Sequence, residues 1–133
     1  LTRSWFINSP IWGALQSLAE KDIKLFITTD HGTIRVSQPS KVIADRETTT
    51  NLRYKVGKNL RFEDADVLDI DNPHEVGLPK PNISSKFIFA KSDYFFLYPN
   101  SYNYYNKLYT DTFQHGGISL EEIICPFVIL ESR

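Results

Sequence analysis

The sequence predicts an α/β fold: a mixed or mostly parallel sheet with flanking helices, plus a β-rich, aromatic insertion. Three observations lead there. A helix-spaced apolar stretch near the start is followed at once by the unbroken run "KLFITT", Lys24 to Thr29. Helix then buried strand is half of an α/β unit, and a continuous apolar run suits a strand covered on both faces. Two further β runs, "SKFIFAK" and "DYFFLYP", open a block crowded with rings, Asp93 to Tyr109.

Taken in order, the first element is a helix. Ser9 is placed to cap it, Pro10 suits the first helical position, and Ile11, Trp12, Leu15, Leu18 and Ala19 recur at helical spacing. Lys21 and Lys24 fall near its end, where positive charge suits the helix dipole. The strand at Lys24 to Thr29 follows. Beyond Asp30-His31-Gly32, "TIRVS" and "KVIA" read as short strands interrupted by Gln38-Pro39-Ser40. Thr48 to Gly57 is polar and β-branched, an exposed strand or substrate-side loop. Glu63 to Asn82 mixes acids with three prolines and reads as a turn-rich connection. The runs on either side of Ser92-Asp93 predict a hairpin. Ser119 with Glu122 three residues on is a capping box for a short helix, and Pro126 then opens a last strand, "FVIL".

At 133 residues the chain suits one small domain that buries a core without disulfides. A net charge of −1 gives no general pull toward nucleic acid or anionic membrane, which disfavours a nucleic-acid-binding module. The single cysteine, Cys125, forms no intrachain disulfide, so a cytoplasmic location is expected. No apolar run reaches the roughly 18 residues of a membrane span. Methionine is absent even at position 1, so the natural start is expected elsewhere.

The chemistry concentrates at two places. "TTDHG" sets an acid and an imidazole at the end of an apolar strand, the end where open α/β sheets bind ligands. Gly32 would let the backbone turn so that Asp30 and His31 converge on one ion. Oxygen beside imidazole suits zinc, manganese or iron. "FQHGGISLEE" supplies a second imidazole, His115. Its two glycines permit close backbone approach, and the helix from Ser119 would aim amides at an anion. Each motif alone is also compatible with an ordinary turn. Thr28, Thr29 and Glu121 are neighbours that could orient the imidazoles. His74 reads as a surface or capping residue. Arg35, Lys41, Arg53 and Tyr54 form a second tier: Arg grips phosphate bidentately and Tyr stacks on a base, although they read first as ordinary strand-edge charges and packing residues. Tyr102, Tyr104 and Tyr105 read first as core or interface.

"TTDHGTIRV", "TTTNLRYKVGKNL", "LPKPN", "KSDYFFLYP" and "FQHGGISLEEIICPFVIL" together resemble the carboxyl-terminal half of a PglZ domain, a member of the alkaline phosphatase superfamily. The resemblance runs from the helix at Ser9 to the last strand and is nearest to PorX-type response regulators of Bacteroidetes. It implies a partial alkaline-phosphatase-like fold with two zinc ions in the complete domain, Asp30 and His31 on one and His115 on the other. Paired ions of that kind stabilise both the attacking and the leaving oxygen at phosphorus. The remaining ligands, acids and histidines, are expected earlier than or between these motifs, and a Thr or Ser nucleophile in an amino-terminal half outside this chain, so the segment alone is expected to be inactive.

The same resemblance implies a metal-dependent phosphodiesterase or phosphatase acting on nucleotide-like phosphodiesters and regulating type IX secretion. Its implied partners are the missing half-domain, an upstream receiver domain, a second copy in a homodimer, and a sigma factor or secretion complex. The rival expectation is a non-catalytic dimerisation or protein-interaction module.

Overall fold

The computed structural model describes residues 1–45 and 48–131, and these form two compact units. Among the described residues no helix is long and apolar enough to cross a membrane.

The first unit comprises residues 1–30 with the chain end from Cys125. It holds α1 (Thr2–Ile7), α2 (Pro10–Ala19), β1 (Lys24–Thr28) and the chain's last strand, β9 (Phe127–Glu131). Pro10 starts α2 where its missing N–H costs nothing. Ser9 holds the N-cap position, but its hydroxyl turns back and donates to the Phe6 carbonyl at 2.7 Å. The sheet pairs β1 with β9 antiparallel, Lys24 opposite Glu131 and Thr28 opposite Phe127. Leu25 and Leu130 join Leu15, Leu18 and Ile23 around a small cavity of about 70 Å³ under α2. Alternation sends Phe26, Phe127 and Ile129 to the other face, where they stay 56%, 64% and 51% exposed. The expectation that β1 is covered on both faces is therefore wrong within this chain. One antiparallel partner and one helix cover one side in part, leaving Ile27, Val128 and Leu130 40%, 44% and 41% exposed.

The second unit runs from His31 to Ile124. In chain order its strands are β2 (Ile34–Val36), β3 (Gln38–Lys41), β4 (Tyr54–Gly57), β5 (Val67–Ile70), β6 (Lys86–Ala90), β7 (Tyr94–Leu97) and β8 (Thr112–Gln114). Its helices are α3 (Tyr102–Tyr109) and α4 (Leu120–Ile123), and 3₁₀ turns occupy Asp64–Asp66 and Pro73–Val76. Three small sheets result: β2 with β8 antiparallel, β3 with β7 parallel, and β4-β6-β5 antiparallel throughout. Mixed sheets with flanking helices agree with an alkaline-phosphatase-like α/β fold, but pairing is mostly antiparallel and not mostly parallel. The physical reason is connection length. Parallel neighbours need a crossover of a dozen or more residues, and among these strands only β3 and β7 parallel each other, with three strands and two 3₁₀ turns between them.

Three local expectations also change. Gln38-Pro39-Ser40 does not interrupt a strand but forms most of β3. Glu63 to Asn82 contains a strand, β5, beside its turns. The predicted hairpin is absent, because β6 pairs with β4 and β5 whereas β7 pairs with β3. Ser92, at φ 41°, turns the chain out of one sheet and into the next. Asp93 fixes that corner by accepting from the Ser37 hydroxyl and, at 3.1 Å, from the Gln38 amide.

β7 explains why a hairpin cannot form. Its period-two alternation sends Phe96 into a core with Val42, Leu60, Val67, Ile88 and Ala90. Phe95 and Leu97 point the opposite way, into a core with Ile34 and Val36. A strand buried on both faces lies between two cores. Phe95 and Phe96 are 0% and 1% exposed, so Phe96→Ala should cost about 3–5 kcal/mol of unfolding free energy. Phe127→Ala, at an exposed site, should cost under about 1 kcal/mol in the same urea titration.

Candidate functional site

The β2–β8 pairing sets Ile34 opposite Gln114. Carried one step outward, that register brings Thr33 opposite His115, with His31 two residues further along. The imidazoles of His31 and His115 accordingly stack, ring centroids 3.8 Å apart and planes 12° from parallel. His31 is half-buried and His115 exposed. The Gly32 carbonyl lies 2.8 Å from His31 Nδ1. A carbonyl only accepts, so in that contact Nδ1 is the donor. Two adjoining imidazoles can set a proton acceptor beside a proton donor.

What holds the two rings together is a buried ion pair that the sequence pattern did not disclose. The Arg53 guanidinium grips the Glu122 carboxylate with both prongs, Nε to Oε1 at 3.0 Å and Nη2 to Oε2 at 2.9 Å. Neither side chain is more than 1% exposed. Arg53 Nη1 donates to the Tyr94 carbonyl, and the Arg53 carbonyl accepts from Ala90 N at 2.9 Å, which joins the site to the β6–β7 region. Glu122 also accepts from the amides of Gly117, at 2.9 Å, and Ser119, at 3.2 Å. Its own carbonyl accepts from Gly32 N at 2.8 Å. One residue therefore ties the His115 loop, the His31 loop and α4 to a single arginine.

The glycines of both motifs follow from that geometry. A Cβ on Gly117 would sit 2.6 Å from the Glu122 carboxylate, and one on Gly32 would sit 1.9 Å from the Glu121 carbonyl oxygen. Gly116 has φ +103°, a conformation open to glycine, and it packs against Asn51. Asn51 in turn accepts from the amides of Arg53 and Tyr54, at 2.7 and 3.2 Å.

Burial alone would push the Glu122 carboxyl up. The Arg53 hydrogen bonds, the Gly117 and Ser119 contacts and the guanidinium charge outweigh it, and the net shift is downward. The anion site expected at the start of α4 is thus filled by the protein's own carboxylate.

The other candidates are dispersed. Arg53 is buried and committed to Glu122, so its fork faces no solvent. Arg35 is exposed on β2 and pairs with Asp111 at 3.2 Å. Tyr54, half-buried on β4, has its ring 6.2 Å from Phe89. Lys41 stands over the Tyr102 ring at 5.2 Å. Thr28 donates to the Pro126 carbonyl at 2.8 Å, so its hydroxyl is engaged within the first unit. Asp30 ends the first unit and His31 begins the second. His74 is exposed in its 3₁₀ turn.

The expectation of zinc is corrected. Among the described residues no three His, Cys, Asp or Glu side chains are grouped so as to hold a metal ion. The histidine stack gives a physical reason. The near-parallel planes, with centroids 3.8 Å apart, keep the in-plane lone pairs of the two rings in separate layers, so the rings share no ion, and among the described residues no third donor groups with them to complete either of the two expected sites. The residues present do not fit the cofactor.

Removing one partner of a buried bidentate pair strands the other, so Arg53→Met should destabilise by about 3–5 kcal/mol. Glu122→Gln supplies the pH test. Because the folded pKa of Glu122 is depressed, its contribution is complete above the unfolded value of about 4.3 and is lost as pH falls through the folded value. Wild-type and Glu122→Gln unfolding free energies should therefore differ at neutral pH and converge on acidification.

A family model, that of the BREX system PglZ alkaline phosphatase-like domain, matches residues 11–130. No curated protein matches the chain.

Proposed function

Because the chain belongs to the PglZ alkaline phosphatase-like family, we propose that it forms part of a domain that hydrolyses phosphoesters, phosphodiesters of nucleotide type first among them. The single observation that carries this reading beyond family membership is the His31–His115 stack. Two imidazoles from the two sequence motifs meet at one place, on loops clamped by one buried ion pair. In this reading the His31 imidazole holds or moves a proton at the substrate. His115 holds or delivers a proton beside it. No residue of this chain is assigned as nucleophile, which the rest of the domain would supply.

The finer assignment, a PorX-type cytoplasmic response regulator with a receiver domain and a link to type IX secretion, rests on the sequence likeness alone. The family match supports the coarser one.

The test uses the complete protein that contains this chain and a bis-aryl phosphodiester. His31→Ala and His115→Ala should each lower kcat/KM by about 10²–10⁴. The double variant should fall far short of the product of the two, as expected of groups that act together. Rates unchanged in both single variants would refute the reading. The 133-residue chain alone should show no turnover.

One observation favours an interaction role beside the catalytic one: the exposed apolar face of Phe26, Phe127 and Ile129. We assign that face to contact with the remainder of the domain. The isolated chain should self-associate in sedimentation, and Phe26→Ser with Phe127→Ser should shift it toward monomer. A strictly monomeric wild-type chain would count against the assignment.

A further inference from the structure

A second cavity, of about 340 Å³, lies within the second unit and is lined by Lys55, Thr50, Tyr98, Asn100, Tyr105 and Tyr109 among others. Its volume is sufficient for a ring with a substituent. Three of those residues are tyrosines. Tyr105 and Tyr109, one helical turn apart on α3, stack at 6.0 Å and 8° to make an aromatic wall.

Lys55 is the unusual member. It is 1% exposed, yet its side chain lines the cavity. Its Nζ donates to the Thr49 carbonyl at 3.0 Å and sits 4.4 Å from the centre of the Tyr98 ring. The Tyr98 hydroxyl donates to that same carbonyl at 3.0 Å. An ammonium has three N–H donors. One carbonyl and one ring face satisfy it in part, and among the described residues no carboxylate lines the cavity. Burial accordingly pulls the Lys55 ammonium down to about 8. A cation so poorly matched by the protein gains most from an anionic oxygen delivered by a ligand.

We propose that this cavity is a binding site for a small aromatic anion, its charged oxygen on Lys55 Nζ and its ring between Tyr98 and the Tyr105–Tyr109 wall. The assignment stands on the cavity and does not rest on the hydrolytic reading of the histidine pair. Rings favour aromatic neighbours in offset or edge contact, and the hydroxyl of Thr50 and the amide of Asn100 add polar contacts for substituents.

The test is calorimetric titration of the wild-type chain with phenylphosphonate, with methylphosphonate as the ringless control and benzoate as a second aromatic anion. Phenylphosphonate and benzoate should both bind. Methylphosphonate should bind at least about tenfold more weakly, because the aromatic contacts are lost. Lys55→Met, close in length and apolar, should weaken phenylphosphonate by about tenfold or more, as expected when a charged hydrogen bond is removed. Tyr105→Ala, at a 40% exposed position, keeps the test decisive if the lysine variant fails to fold and should also weaken binding. His115→Ala should leave phenylphosphonate affinity unchanged, which separates this site from the histidine stack. The proposal is overturned if wild type shows no saturable binding, if methylphosphonate equals phenylphosphonate, or if His115→Ala rather than the cavity variants abolishes the signal.

Discussion

The second unit is organised around one charge pair. Arg53 and Glu122 are 69 residues apart in sequence, and burying both charges would be prohibitive were either left alone. Bidentate geometry and two loop amides give the carboxylate four hydrogen bonds, and with the Tyr94 carbonyl they engage all three guanidinium nitrogens. The Gly117, Ser119 and Gly32 contacts reach this pair or the backbone of Glu122. The positions of both histidine loops are therefore consequences of electrostatics at this pair. Such an arrangement suits a site whose reactive groups must remain exposed, because the constraint on them sits in the interior.

Much of this was legible in the sequence, and the failures have physical causes. Pro10 and the apolar spacing placed α2, the Ser119–Glu122 box placed α4, and Pro126 placed the start of β9. These are local signals, and local chemistry decides them. Sheet pairing was misread because the partner of an apolar run is chosen by the whole core. "YFFL" looks the same whether it closes a hairpin or lies between two cores.

The histidines were found because both stand in short glycine motifs. Glu122 was recognised only as a helix cap, and Arg53 only as a phosphate contact. Nothing local distinguishes a cap that also neutralises a buried arginine. The glycines held the available clue. Gly32 and Gly117 owe their identity to close approach, one to the backbone of α4 and the other to the Glu122 carboxylate, so each marks a point where another segment presses against the motif.

Arg53 and Lys55, two residues apart, show how two cations are buried by different physics. A guanidinium stays protonated at any pH a protein meets, so its burial demands a permanent counter-charge, and Glu122 is that charge. An ammonium has another course. Lys55, given a carbonyl and a tyrosine face but no carboxylate, responds to burial by holding its proton less tightly. The first solution is self-contained and rigid, as befits a clamp for two loops. The second leaves the ammonium with one carbonyl and one ring face at the border of a cavity. That difference, more than the aromatic lining, separates the Lys55 cavity from a packing defect: a defect would have been filled or made apolar, whereas here a costly charge borders the space.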